Sequence, residues 1–183
     1  MGFAGRPADH DEDTNSASEA KLPPLVIDAD ALNLLSEIEQ WWTYLPEETI
    51  ITPHPGEMGR LAKMDTQDLL ANRWEIAAAK AAEWKVILVL KGAHTLIAAP
   101  DGRVAVLPFK TDALAKAGTG DVLAGMITGF LAQGVSAYDA ALVGGYVHGL
   151  AGTLATRKVG NRRSVIAGDV VAALADSLKL MEG

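Results

Sequence analysis

Residues 117–125 combine a backbone that can bind an anion with a single carboxylate. They read Ala-Gly-Thr-Gly-Asp-Val-Leu-Ala-Gly, and the apolar residues that follow recur at helical spacing. Glycine lets the main chain approach a ligand closely, while the free N–H groups and the dipole of a helix N-terminus stabilise phosphate oxygens. The pattern therefore predicts an anion-binding turn that opens a helix.

Asp121, the carboxylate of this turn, is open to two interpretations. In the first turn of a helix, a carboxylate is a favourable helix-end charge. Beside a bound phosphate, the same carboxylate would accept a proton from an attacking hydroxyl. The residues alone leave both interpretations open.

Lys91 is the second candidate for chemistry, because it ends a continuous apolar run over residues 86–90. Such a run is typical of a buried parallel strand, and open α/β sheets bind their ligands at the carboxyl ends of the strands. An ammonium group at that position would meet a phosphate. The alternative is a surface lysine that extends its charge into solvent from the strand end.

Residues 52–57, Thr-Pro-His-Pro-Gly-Glu, follow a short apolar strand predicted at 49–51. His54 stands between two prolines, where its ring is suited either to hydrogen-bond a ligand or to cap the following helix. Glu57, three residues later, would complete a capping box. We interpret other polar residues as structural, with Asp30 as a helix N-cap and Asp28 in strand-end hydrogen bonding. Close helix packing explains His148 and Gly149 about as well as ligand contact does, so we leave both residues out of the site.

The elements that must position these residues alternate along the chain. Strands are predicted at 25–27, 49–51 and 86–90, and a hairpin at 95–98 and 103–107 turns at Pro100-Asp101-Gly102. Helices are predicted from Asp30, at 57–63, 67–83, from 120 onward, at 140–156 and at 167–181. This order predicts an open α/β sheet with an antiparallel edge and helices on both faces.

Composition limits the classes of function. The chain has 183 residues, of which 49% are apolar, a net charge of −7 and no cysteine. These values exclude disulfide scaffolds and thiolate metal sites and argue against nucleic-acid binding. No membrane span or export signal is predicted, so we expect a cytoplasmic protein. Residues 1–24 lack a periodic apolar face and are predicted to form a mobile arm before a domain at 25–183.

Four motifs in this order resemble the ribokinase-like superfamily and, within it, ADP/ATP-dependent NAD(P)H-hydrate dehydratases. They are residues 51–57, 90–95, 117–125 and 146–152, and residues 26–33 add a fifth. The resemblance runs from about Leu25 to the C-terminus. Family members carry a further N-terminal half of the sheet, which is missing here. We therefore expect a ribokinase-like sheet that lacks its N-terminal part, whose free edge near Leu25 favours homo-oligomers.

The resemblance implies repair of hydrated NADH or NADPH, in which ADP or ATP phosphorylates the hydrate and phosphate is then eliminated. It implies that Asp121 is the catalytic base, that His54 and Asp121 contact the hydrated cofactor, and that Glu57 holds Mg²⁺, directly or through water. It further implies nucleotide binding by Lys91, Gly92, Ala93, His94, Thr95, Gly118, Thr119 and Gly120.

Two alternatives stay open at this point. The anion-binding turn alone does not separate a dehydratase from a ribokinase-like kinase that phosphorylates a small vitamin-precursor alcohol. The missing N-terminal half favours a third possibility, a nucleotide-binding fragment without catalytic activity. Residues 52–57 argue for the dehydratase.

Overall fold

A five-stranded open sheet forms the centre of the computed structural model, which describes residues 22–182. The first three strands run parallel and the last two antiparallel, and each pairs with the next in chain order. The mixed sheet and its hairpin edge confirm the predicted α/β class. The strands are β1 (Val26–Ile27), β2 (Ile50–Ile51), β3 (Ile87–Leu90), β4 (Leu96–Ala98) and β5 (Val104–Val106).

Helices connect and cover these strands. Two short 3-10 turns lie in the connections, Trp41–Tyr44 before β2 and Asp112–Leu114 after β5. Within residues 22–182, no helix is both long and apolar enough to cross a membrane. The helices are α1 (Asp30–Ser36), α2 (Pro55–Ala62), α3 (Thr66–Ala71), α4 (Arg73–Trp84), α5 (Thr119–Ala132), α6 (Ala137–Val159), α7 (Ala167–Ala172) and α8 (Leu174–Glu182).

Alternation along the strands divides the core between the two faces of the sheet. Ile51, Leu88 and Leu90 pack with side chains of α1 to α4 on one face. Ile50 and Val89 pack with α5 and α6 on the other face. Both faces are therefore covered by helices, as the order of elements predicts.

Three local predictions were wrong. The helix predicted at 67–83 breaks at Asn72, whose φ of −128° is not helical. Leu69 of α3 is buried, whereas Leu70 of the same helix and Trp74 of α4 are exposed. The helix predicted at 167–181 is likewise interrupted, at Ala173. Asp30 is the first residue of α1 rather than its N-cap, a position that Ala29 occupies.

The free edge predicted near Leu25 falls on β1, whose hydrogen-bonded neighbour within residues 22–182 is β2. Most of the predicted arm, residues 1–21, lies outside the described residues. Self-association through this edge stays a prediction.

Candidate active site

A cavity of about 490 Å³ opens where the parallel strands end. Its walls are the segments that follow β2 and β3, the loop around the 3-10 turn Asp112–Leu114, the first turn of α5 and the middle of α6. Seven of the predicted site residues line it: His54, Lys91, Gly92, Ala93, Thr95, Thr119 and Gly120. The other four, Glu57, His94, Gly118 and Asp121, lie outside its lining.

The glycine-rich turn forms the predicted N-terminus of α5. Gly118 is the N-cap with a φ of 84°, a left-handed conformation that glycine adopts without strain. The Thr119 hydroxyl donates to the carbonyl oxygens of Leu114 and Lys116, at 2.7 and 2.8 Å. Because its side chain is used inside the turn, the turn has only backbone N–H groups to offer an anion at the helix N-terminus.

Lys91 lies at the centre of a charged cluster beside this turn. Its Nζ is 2.6 Å from Asp28 Oδ1 and 3.8 Å from Glu57 Oε2. The three side chains are 20%, 11% and 7% exposed, respectively. A Cβ built on Gly120 would lie 3.5 Å from Lys91 Nζ and 3.6 Å from Asp28 Oδ2, so the cluster borders the first turn of α5.

His54 and Glu57 form a complete capping box at the start of α2. His54 Nδ1 accepts from the N–H groups of Gly56 and Glu57, and the His54 N–H donates to Glu57 Oε2 at 2.7 Å. The other ring nitrogen of His54, Nε2, lies 3.3 Å from Glu57 Oε1. The prediction that His54 and Glu57 form a capping box is therefore confirmed. Half of the His54 side chain is still exposed, and it faces the cavity.

Arg73, which the sequence analysis did not single out, holds the loop that follows β3. Its Nη1 donates to the Ala93 carbonyl at 2.8 Å, and its Nη2 donates to the His94 carbonyl at 3.0 Å. The loop needs such support, because His94 has a left-handed φ of 54°. Burial lowers the pKa of Arg73. No periodicity or motif marks this long-range contact, since 20 residues separate Arg73 from Ala93.

Asp121 occupies the first turn of α5 and is exposed. Within the described residues its carboxylate makes no hydrogen bond or ion pair. The side chain therefore has no internal partner there, and it lies next to the cavity-lining residue Gly120 along the chain. Its role as base stays a prediction.

His148 on α6 is a cavity residue that the sequence analysis left out. It is 7% exposed, and its Nε2 is buried without a hydrogen-bond partner among the described residues. Burial lowers the pKa of His148 to about 4, and the positive charge of Lys91 acts in the same direction, whereas a hydrogen bond with the Thr119 backbone raises it. The ring is therefore neutral near pH 7.

A family model for NAD(P)H-hydrate dehydratases matches residues 9–174. The chain belongs to this family. It is 44% identical over 159 residues to a bifunctional NAD(P)H-hydrate repair enzyme of Moorella thermoacetica, a match that covers 87% of the chain and 30% of the relative. It is 37% identical over 152 residues to an ADP-dependent (S)-NAD(P)H-hydrate dehydratase of Neisseria meningitidis, a match that covers 82% of the chain and 51% of the relative.

Solved structures place the NAD(P)H-hydrate dehydratase fold in the ribokinase-like class. A Bacillus subtilis ADP/ATP-dependent NAD(P)H-hydrate dehydratase, co-crystallised with ATP and Mg²⁺, superimposes with a TM-score of 0.76 at 34% identity. A ribokinase-like protein of Enterococcus faecalis gives a TM-score of 0.68 at 28% identity. These matches cover 85% and 87% of the chain, and 54% of each solved chain. The chain thus spans about half of these relatives.

His148 should make the stability of this family member fall in acid. Its folded pKa of about 4 is below the ordinary 6.5, so the unfolded chain takes up a proton while the folded chain does not. The free energy of unfolding should therefore drop between pH 6.5 and 4, by about 2 to 3 kcal/mol from this group. Urea unfolding across this range would measure the loss, and His148→Met should remove that part of the slope. Identical slopes for the two proteins would contradict the prediction.

Proposed function

We propose that this chain carries out nucleotide-dependent dehydration of hydrated NADH or NADPH. The hydroxyl oxygen of the hydrate attacks the terminal phosphorus of ADP or ATP, the bond to the leaving AMP or ADP breaks, and Asp121 accepts the hydroxyl proton. The C–O bond to the new phosphate then breaks as the neighbouring ring carbon loses a proton, which restores the double bond. The placement of Lys91 against the first turn of α5 carries this proposal.

Charge stabilisation is the main contribution that this site would make. Phosphoryl transfer depends on positioning and on electrostatic stabilisation of the transferred group. The N–H groups of Gly118 and Gly120 would supply oriented dipoles, whereas the Thr119 N–H already donates to the Lys116 carbonyl at 3.2 Å. The Lys91 ammonium group has three N–H donors, and one of them donates to Asp28. The others can bind phosphate oxygens.

Mg²⁺ fits the carboxylates beside Lys91. This ion is usually bound through one or two carboxylates together with waters and substrate phosphates. Asp28 and Glu57 would hold it, and both Glu57 oxygens already lie close to His54 or Lys91, so contact through water suits Glu57 better than direct ligation. When bound, the ion neutralises phosphate charge.

The hydrated cofactor would lie at the rim of the cavity. The exposed half of the His54 ring lines the cavity there, and Asp121, which follows the lining residue Gly120 on α5, is exposed to solvent. Because His54 Nδ1 accepts hydrogen bonds within the cap, the proton of the neutral ring is on Nε2. This N–H can donate to a hydroxyl or carboxamide oxygen.

A second candidate function is nucleotide binding without turnover. The chain spans 51% of the Neisseria meningitidis relative and 54% of the Bacillus subtilis chain, so substrate contacts made by the rest of those proteins are not supplied by the matched region. Consumption of NADHX in the presence of ADP or ATP supports the dehydratase. Nucleotide binding without consumption supports the second function.

Nucleotide binding is the first step to test. Mg-ADP or Mg-ATP at a hundred times its dissociation constant should raise the free energy of unfolding by about 2.7 kcal/mol, because the ligand binds only the folded chain. A thermal scan measures the corresponding rise in Tm. Gly120→Val, which places a side chain between the turn and Lys91, should abolish the shift.

Gly125→Val is the matched control for that scan. Gly125 lies on the same helix, and a Cβ there meets nothing within 4 Å among the described residues. This variant should keep the full shift. If millimolar nucleotide leaves the Tm of the parent unchanged, the proposed function is wrong.

A further inference from the structure

A second concavity, of about 450 Å³, lies along one face of α2. Four of its lining residues are spaced three or four apart and therefore share this face: Gly56, Gly59, Arg60 and Lys63. His54, which lines the active-site cavity, directly precedes the helix. This concavity, the α2 groove, thus begins beside the residue at which we place the hydrated nicotinamide and follows the helix for about 10 Å.

The floor of the α2 groove is bare backbone next to His54. A Cβ built on Gly56 would lie 2.9 Å from His54 Cε1 and 3.9 Å from Arg60 Nη1. A Cβ built on Gly59 would lie 3.1 Å from the Met64 carbonyl oxygen, so this position also has no room for a side chain. The His54 ring and the Arg60 guanidinium therefore border the same glycine, and a ligand that contacts one lies close to the other.

The guanidinium of Arg60 is oriented but not neutralised. Its Nε donates to Asn33 Oδ1 on α1, at 3.0 Å. Within residues 22–182, no carboxylate pairs with Arg60, and its Nη1 and Nη2 have no hydrogen-bond partner. Because the planar fork of an arginine matches the geometry of phosphate oxygens, these free donors suit a phosphate group.

The other charges of the α2 groove leave an excess of positive charge. Lys63, the exposed C-cap of α2, is a second cation in the lining. Asp65 is the carboxylate among the lining residues, and its Oδ1 accepts from the Gln67 N–H at 2.7 Å as the cap of α3. In a chain with a net charge of −7, two cations against one carboxylate form a local site that favours an anion.

We propose that Arg60 binds the pyrophosphate of the hydrated dinucleotide, which makes the α2 groove the subsite for the part of the cofactor that does not react. The inference rests on the proposed function, since it takes the hydrated nicotinamide to lie at His54. One ribose separates the nicotinamide from the pyrophosphate, a distance that the groove accommodates. NADHX and NADPHX share the pyrophosphate, so Arg60 would select either dinucleotide over a hydrated nicotinamide riboside without phosphate.

Calorimetric titration of the full chain with NADHX, without nucleotide so that no turnover occurs, tests this inference. Arg60→Met should weaken NADHX binding about tenfold. Its affinity for Mg-ADP should stay within twofold of the parent, because Arg60 lies outside the lining of the nucleotide cavity. Arg60→Lys keeps the charge and loses the fork, so it should recover part of the loss.

Arg157→Met is the matched control. Arg157 is an exposed arginine in the last turn of α6 and has no ion pair within the described part of the chain. Its replacement changes the net charge by the same amount and should leave NADHX affinity within twofold of the parent. A loss as large as that of Arg60→Met would mean that the overall charge, and not the α2 groove, attracts the ligand, which would overturn the inference.

Salt provides a second measurement. Between about 50 mM and about 500 mM NaCl, the NADHX affinity of the parent should fall, and that of Arg60→Met should fall less, because salt screens the contact between the guanidinium and the phosphates. An NADHX affinity of Arg60→Met within twofold of the parent would overturn the inference and leave the proposed function standing. A parent chain that binds Mg-ADP but not NADHX would contradict the dehydratase proposal, and the inference with it.

A folding failure of Arg60→Met would still leave two decisive results. Asn33→Ala keeps the charge of Arg60 but removes the acceptor that orients it, so NADHX binding should weaken several-fold. Unchanged affinity in Asn33→Ala, together with a parent affinity that does not depend on salt, would overturn the inference.

Discussion

Asp121→Asn is expected to slow the consumption of hydrated NADH by at least about a hundredfold, the usual range for removal of a positioned general base. The amide keeps the shape of the side chain but takes up no proton. Because Asp121 makes no internal hydrogen bond or ion pair within the described residues, stability and Mg-ADP affinity should stay close to those of the parent. Single-turnover assays with the protein in excess, combined with calorimetric titration, measure both quantities.

Asp139→Asn is the matched control for this change. Asp139 is also the acidic residue of a first helical turn, that of α6, where it pairs with the Ser136 hydroxyl. Its replacement should cost about 0.3 to 1 kcal/mol of stability and leave turnover unchanged. If Asp121→Asn behaves in the same way, Asp121 is only a helix-end charge.

Lys91→Met should destabilise the folded chain by up to about 3 to 5 kcal/mol, because it leaves the part-buried carboxylate of Asp28 and the buried carboxylate of Glu57 without their cation. Urea unfolding at neutral pH measures this loss. The loss should be partly recovered when Asp28→Asn is added, since the second change removes one unpaired charge.

Lys80→Met provides the comparison for the lysine change. Lys80 pairs with Glu83 at 2.7 Å on the surface, where ion pairs contribute at most about 1 kcal/mol. A cost for Lys91→Met that is no larger than the cost for Lys80→Met would show that the buried cluster does not stabilise the fold.

The alternation of strands and helices was predictable because burial on both faces leaves continuous apolar runs. Residues 86–90 have no polar interruption, and β3 is buried at every position. The break at Asn72 was not predictable from periodicity, since the alanine-rich residues around it suit one helix or two equally well. Only packing against the sheet decides that Leu69, rather than its neighbour Leu70, is buried.

The composition of the site was predictable where a local motif exists. The α5 turn and the capping box depend on residues within a few positions of each other, and both form as the patterns indicate. Asp28 was interpreted as a strand-end hydrogen-bonding residue, and no local motif indicates its ion pair with Lys91, 63 residues away. Asp28 follows β1 and Lys91 follows β3, the parallel strands on either side of β2, so the two side chains meet at the same edge of the sheet, and that depends on sheet order.

His148 shows a different limit of sequence reasoning. Its neighbours are small and apolar, so packing accounts for it without any ligand. That its Nε2 is buried without a partner among the described residues, and that the residue lines a cavity, is visible only in three dimensions.

The distribution of tryptophans affects how this chain can be observed. Trp41, Trp42 and Trp84 pack together edge-on or tilted, with ring centroids 4.9 to 6.1 Å apart, in or against the core on the sheet face covered by α1 to α4. At such distances indole transitions couple, so the trio should produce a near-ultraviolet circular dichroism signal that disappears on unfolding. The fourth indole, Trp74, is exposed and should emit at longer wavelength. The fluorescence of the trio should therefore report global melting, whereas Trp74, which follows the loop-holding residue Arg73, reports on the surface of α4.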